Sequence, residues 1–159
     1  MRTALPKSKL LAFILILLMS CAPKTLCQIS EQYPWKNEIQ SLLDKQAEAW
    51  NNGNIDGYME GYWKSDSLLF TSGGNVRRGW QATIEKYKKS YDSKKKMGHL
   101  KFSDLRFYQL STEAAWVFGR WELERTGDHP NGVFTLVLRK FSDGWKIIHD
   151  HTSSSPSQK

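Results

Sequence analysis

Two segments of the sequence place charged side chains among aromatic and apolar ones. Trp116, Phe118, Arg120 and Glu122 alternate with small and apolar residues, and Asp150 follows a second alternating run. In an extended strand, alternate side chains point to the same face, so the first four are predicted to share one. A half-buried Arg or Glu is costly unless it pairs or meets a ligand. The pattern predicts a site for a small polar or anionic molecule, with Arg120 as its charge partner.

The same residues leave two other functions open. The first is an enzyme without a cofactor, an isomerase, lyase or cyclase, in which Asp150 or Glu122 would be the catalytic base. The second is a structural module in which the dimer is the function and the pocket is vestigial. A strongly shifted carboxylate in an open pocket would favour the enzyme, whereas an ion pair between Arg120 and Asp150 in a filled pocket would favour the structural role.

Metal and nucleophilic chemistry have weaker support in the sequence. His149 and His151 share one strand face and would make half a metal site, but a third ligand would have to come from His99 or an unplaced carboxylate. Histidines of a core or an interface are the simpler interpretation. The folded part has no Gly-x-Ser-x-Gly motif, no phosphate-binding glycine loop and no cysteine. We therefore expect no metal and no cofactor.

Helices come first in the predicted order of elements. Apolar residues recur at helical spacing from Trp35 to Asn52, and Gly53 is a typical helix stop. A short second helix is predicted from Ile55 to Trp63. A third is predicted from Gly79 to Tyr91.

The strands follow, except for a short hairpin that precedes the third helix. That hairpin joins 67–71 to 76–78 through Ser-Gly-Gly-Asn. The second half is predicted to form four long strands, at 99–110, 114–124, 132–141 and 145–152. The tail at 155–159 is polar and predicted to be disordered.

The first 34 residues predict the cellular location of the protein rather than part of its fold. Residues 1–20 combine three basic residues with the apolar run Leu10 to Met19, as in a signal peptide. Leu18-Met19-Ser20-Cys21 resembles a bacterial lipobox, so Cys21 is the predicted lipidation site, and 21–34 form a tether. This places the protein in the cell envelope, on the outer membrane or periplasmic face and attached only through its lipid. Plain secretion into the periplasm or medium is the alternative.

Length and charge limit the remaining possibilities. The chain of 159 residues suits one domain, here 35–154. Its net charge of +7 falls to +4 once 1–20 are removed, which is too mild to predict nucleic-acid binding. Six lysines cluster around the third helix and are predicted to be solvated. They are Lys86, Lys88, Lys89, Lys94, Lys95 and Lys96.

The ordered set of elements resembles the NTF2-like superfold, and its DUF4440 and SnoaL-like branch most closely. The resemblance is carried by the segments 49–54, 66–71, 119–121, 132–140 and 143–153 together with Gly79. It implies an α+β cone, with three N-terminal helices packed on a strongly curved antiparallel sheet. It also implies a conical pocket between helices and sheet, and a homodimer formed through the outer face of the sheet.

The resemblance also suggests which strand face lines the pocket. The implied pocket face has Trp116, Phe118, Arg120, Glu122, Thr135, Val137, Arg139, Ile148, Asp150 and Thr152. Gln46, Trp50 and Tyr62 would line it from the helices. The implied partner face has Trp121, Phe134, Leu136, His149 and His151. The chemistry of ketosteroid isomerase does not carry over, because Gln46, Thr71 and Val137 stand where that enzyme has its Tyr, base and oxyanion acid.

Overall fold

A computed structural model describes residues 33–155, and the predicted signal peptide, the lipidation site and most of the tether lie outside them. The tail after Ser155 also lies outside the described residues. The amide of Ser155 itself donates a hydrogen bond to the Asn131 carbonyl at 2.8 Å. None of the helices within 33–155 has the length and apolar composition needed to span a bilayer.

The four helices precede the long strands. Helix α1 spans Pro34–Asn51, α2 spans Ile55–Met59, α3 spans Trp80–Ser90 and α4 spans Lys94–Met97. Asn54 caps α2, since its side-chain oxygen accepts from the Gly57 amide at 2.8 Å. Helix α2 ends four residues earlier than predicted, because the segment after Met59 turns and forms a bridge to the last strand through Tyr62. The short helix α4 was not predicted.

Six strands form one sheet. They are β1 (Leu69–Ser72), β2 (Asn75–Arg78), β3 (His99–Gln109), β4 (Ala114–Glu124), β5 (Asn131–Phe141) and β6 (Gly144–Thr152), in the spatial order β2-β1-β6-β5-β4-β3. The predicted α+β fold, with helices packed on a curved sheet, is confirmed. The sheet is mixed rather than wholly antiparallel, because β1 runs parallel to β6.

The core lies between the helices and one face of the sheet. Ile39 and Leu43 of α1 are fully buried, as are Val117, Leu138 and Ile147 of the sheet. Alternation along β4 is regular, with Ala115, Val117 and the other odd-numbered residues facing this core. The wholly apolar face of β4 therefore packs against the helices, and the face that carries Arg120 and Glu122 does not.

A bulge in β6 changes which residues face the core. Leu138 pairs with Ile147, whereas the next pair is Val137 with His149, so Ile148 is an extra residue. Trp145 and Ile147 face the core before the bulge, and Asp150 faces it after the bulge. The bulge therefore brings Asp150 to the inner face and leaves its histidine neighbours on the outer one.

Candidate functional site

A cavity of about 390 Å³ lies between the helices and the concave face of the sheet. Its volume is within the range of small-molecule sites. The lining residues share the inner face of the fold and come from every strand and from α1, α3 and the segment around α2. They include Gln46, Trp50, Tyr58, Tyr62, Phe70, Arg77, Lys86, Tyr87, Tyr91, Trp121, Phe134, Leu136, Asp150 and Thr152.

Asp150 is the carboxylate of this cavity, and its side chain is held by two hydroxyl groups. The Tyr62 hydroxyl donates to its Oδ2 at 2.8 Å, and the Thr152 hydroxyl donates to its Oδ1 at 2.7 Å. Only 4% of Asp150 is exposed. Burial raises the pKa of this carboxyl to about 6, although both hydrogen bonds and the charge of His151 act in the opposite direction.

Aromatic side chains form most of the wall near Asp150. The Tyr58 and Tyr62 hydroxyl oxygens are 3.3 Å apart, and the Tyr58 carbonyl accepts from the Gln46 amide at 2.9 Å. Trp50 packs edge-on against Tyr58 and Tyr91, with ring centroids 5.1 and 4.7 Å apart. Burial raises the pKa values of Tyr58 and Tyr62, so both remain neutral donors at ordinary pH.

Two cationic side chains, Arg77 and Lys86, complete the lining. Arg77 is opposite Phe70 in the β1–β2 hairpin, so both point to the inner face. Lys86 comes from the exposed side of α3. Neither forms an ion pair within 33–155. An anionic group in the cavity would therefore find two unpaired positive charges.

Some of the predicted site residues line this cavity. Gln46, Trp50, Tyr62 and Asp150 do so, as does Thr152. Their role in binding remains a prediction, because no ligand contact is shown.

The predicted pocket face of β4 and β5 is wrong. Trp116, Phe118, Arg120, Glu122 and Thr135 lie on the outer face, as their register with one another requires. Arg120 pairs there with Asp104 at 3.0 Å, so it does not meet Asp150.

Two physical reasons account for the wrong face. The face of β4 that carries Arg120 and Glu122 is partly exposed to solvent, where a charged side chain costs less free energy than in the core. In addition, strict alternation along β6 would put Asp150 on the face opposite Ile147. The extra residue in the bulge instead puts Asp150 on the same face as Ile147 and opposite Leu136, so Leu136 and not Val137 shares the face of Asp150. The predicted partner-facing Trp121, Phe134 and Leu136 line the cavity instead.

Sequence reasoning missed two cations and five aromatic residues of the lining. They are Arg77, Lys86, Tyr58, Phe70, Tyr87, Tyr91 and Phe102. Tyr87 and Tyr91 were assigned only to the predicted third helix, and Lys86 was only one of six clustered lysines. A usable signal existed, since Lys86 precedes Tyr87 on the helix that covers the hairpin. Arg77 gave none, because the predicted return strand was too short to assign a face.

The outer face carries the histidines and a stacked aromatic pair. His149 and His151 lie there with ring centroids 6.4 Å apart. Tyr108 stacks on Trp116 with centroids 4.0 Å apart. No group of three or more His, Cys, Asp or Glu side chains suited to a metal ion occurs among residues 33–155.

Comparison with known proteins gives a family and a fold. A model of the SnoaL-like domain matches residues 39–157. An NTF2-like protein of unknown function from Shewanella oneidensis MR-1 has 46% identity over 74% of this chain and 98% of its own, with a TM-score of 0.72. No curated protein matches the chain.

Two more distant solved structures share the fold. An NTF2-like superfamily protein from Salmonella enterica has 19% identity over 80% of this chain and 94% of its own, with a TM-score of 0.63. A putative calcium/calmodulin-dependent protein kinase II association domain from Xanthomonas campestris has 21% identity over 75% of this chain and 86% of its own, with a TM-score of 0.58.

Proposed function

The chain belongs to the SnoaL-like domain family, and we propose from its cavity that it is a small-molecule-binding domain whose ligand carries an anionic group. The observation that supports this most is the pair of cationic side chains, Arg77 and Lys86. They line a cavity rich in aromatic side chains and have no ion-pair partners among the described residues. Arg120, the predicted charge partner, is replaced in this role by Arg77.

Removing the cavity cations should weaken the binding of carboxylates. We expect Arg77→Gln and Lys86→Gln each to lower the affinity for hexanoate and benzoate about tenfold, since a charge-assisted hydrogen bond contributes about 1.5–3 kcal/mol. Isothermal titration calorimetry on the full chain measures this. Arg120→Gln is the matched control, because it removes an Arg from the outer face. Equal loss in all three variants, or in none, would contradict the assignment.

An acid–base enzyme is the second candidate, and the raised pKa of Asp150 in an open cavity favours it. Glu122 is no longer a candidate base, because it faces away from the cavity. Incubation of the chain with small molecules extracted from its host, followed by mass spectrometry, tests this function. A substrate converted by the native chain and not by Asp150→Asn would establish turnover.

We further propose that the domain dimerises through the outer face of the sheet. On this face Tyr108, which stacks on Trp116, is 42% exposed, and Leu110 immediately after β3 is 63% exposed. Apolar area of this kind on one face is typical of an interaction surface. Trp116→Lys should convert the dimer to a monomer in analytical ultracentrifugation, and Arg77→Gln should not. Dimers that persist in Trp116→Lys would place the interface elsewhere.

The cellular location remains a proposal based on residues 1–21. We propose export and lipid attachment at Cys21, which leaves the domain on the outer membrane or the periplasmic face. Metabolic labelling with a radioactive fatty acid should mark the native chain and not Cys21→Ser. An unlabelled chain in the soluble periplasmic or secreted fraction would instead support plain secretion.

A further inference from the structure

Asp150 is a buried carboxylate without an ion-pair partner among the described residues, although the charge of His151 acts on it from the outer face. Its two oxygens accept one hydrogen bond each, from Tyr62 and Thr152, whereas a carboxylate has about four acceptor sites. No Lys, Arg or His within 33–155 forms an ion pair with it. An unpaired charge in a buried aromatic setting is costly, so a bound cation would be stabilised there.

The rings around this carboxylate are suited to the same kind of group. Nine aromatic side chains line the cavity, namely Trp50, Tyr58, Tyr62, Phe70, Tyr87, Tyr91, Phe102, Trp121 and Phe134. Ring faces attract ammonium groups, and rings that surround a cavity are used to bind quaternary ammonium ligands. The cation–π contacts made by Lys and Arg within 33–155 fall on four other rings, those of Trp80, Phe107, Phe141 and Trp145.

Asp150 and Arg77 lie in the same row of paired residues across three neighbouring strands. Asp150 pairs with Phe70 of the neighbouring strand, and Phe70 pairs with Arg77 of the next. Residues directly opposite one another share a face, so all three side chains point into the cavity. Two strand spacings separate the backbones of Asp150 and Arg77 by about 10 Å. The cavity therefore has a negative group and a positive group with an aromatic ring between them.

From this arrangement we propose that the ligand is a small zwitterion, whose ammonium group lies among the aromatic rings against Asp150 and whose acid group lies against Arg77. The proposal rests on the anion-binding function argued above and adds the second charge of the ligand. The ammonium group is either quaternary or protonated, since both forms carry the positive charge that would pair with the Asp150 carboxylate. The raised pKa of Asp150 agrees with a carboxylate whose partner arrives only with the ligand.

The test compares three probes that share a carboxylate and a chain of similar length. γ-Butyrobetaine has a quaternary ammonium, 4-aminobutyrate has a protonated amine, and 5,5-dimethylhexanoate has the shape of the betaine with no positive charge. Calorimetric titration of the full chain should give at least about tenfold tighter binding of one ammonium compound than of 5,5-dimethylhexanoate. Preference for the betaine would assign the rings as the main contact, and preference for the amine would assign Asp150.

Asp150→Asn is the decisive variant, because it keeps the shape and the acceptor for Tyr62 but removes the charge. We expect it to abolish the preference for ammonium compounds by weakening their binding, without weakening that of 5,5-dimethylhexanoate. Arg120→Gln should behave as the native chain. If 5,5-dimethylhexanoate binds the native chain as tightly as both ammonium probes, the zwitterion is excluded and the anion-binding function stands. If none of the three binds, both proposals are contradicted.

Discussion

Replacing Asp150 by Asn is expected to stabilise the unliganded protein above pH 6 by about 3 kcal/mol, since each unit of pKa shift corresponds to about 1.4 kcal/mol. The carboxyl has a pKa of about 6 in the folded protein and an ordinary value of 3.8. The folded state therefore holds its proton more tightly than the unfolded state does. Amide and protonated carboxyl are similar in size, so the substitution mainly removes the buried charge.

The sign of this effect fixes its pH window. An acid whose folded-state pKa is raised contributes its full stability below pH 3.8 and loses it as the pH rises to about 6. The difference between native and Asp150→Asn proteins should thus be small at pH 3.5 and level off above pH 6. Tyr58, Tyr62 and Tyr87 stay neutral in this window because burial raises their pKa values.

Urea unfolding of the two proteins from pH 3.5 to 8 measures the difference directly. Arg77, Lys86 and His151 are present in both proteins, so the comparison isolates the effect of the substitution. Glu38→Gln is a control of opposite sign, because the Lys140 hydrogen bond lowers the pKa of Glu38. That substitution should lose stability at neutral pH. A native protein as stable as Asp150→Asn at every pH would show that Asp150 is not a buried charge.

Truncating Trp50 is the second large effect. Its side chain is 3% exposed, lies between Tyr58 and Tyr91, and donates from its indole nitrogen to the Met97 carbonyl at 3.1 Å. Trp50→Ala should lower the free energy of unfolding by about 3–5 kcal/mol, as buried Trp→Ala substitutions do. It should also abolish carboxylate binding, because the wall of the cavity collapses or opens.

Trp63→Ala is the matched control for Trp50→Ala. Trp63 is half-buried and stacks on Phe141 with centroids 5.5 Å apart, and it does not line the cavity. Its truncation should cost less stability and leave binding intact. Denaturant unfolding followed by circular dichroism gives both values. A loss below about 1 kcal/mol in Trp50→Ala would contradict the packing described for the cavity wall.

Most elements of the fold, though not the short helix α4, were predictable because their patterns are local. Helical spacing from Trp35 onward and the Ser-Gly-Gly-Asn turn each determine their element without reference to the rest of the chain. The parallel pairing of β1 with β6 was not predictable. The two strands are about 80 residues apart in the sequence, and the local pattern of neither strand indicates which strand it pairs with.

The faces of the strands show where sequence reasoning failed and why. Asp150 was placed correctly on the inner face, but Arg120 was placed with it because the alternation of each strand was aligned by analogy. One extra residue, Ile148, reverses the relation between the two halves of β6. A bulge of this kind leaves no mark in the pattern Ile-Ile-His-Asp-His, so only the register could reveal it.

The most direct test of ligand binding in the cavity is native mass spectrometry of the full chain, purified gently from its own host. We expect a bound small molecule on the native chain, retained in Arg120→Gln and lost in Arg77→Gln and Asp150→Asn. That molecule should contain both an acid group and a positively charged nitrogen. A native chain free of any such adduct, or an adduct that survives both cavity substitutions, would contradict the cavity as the binding site.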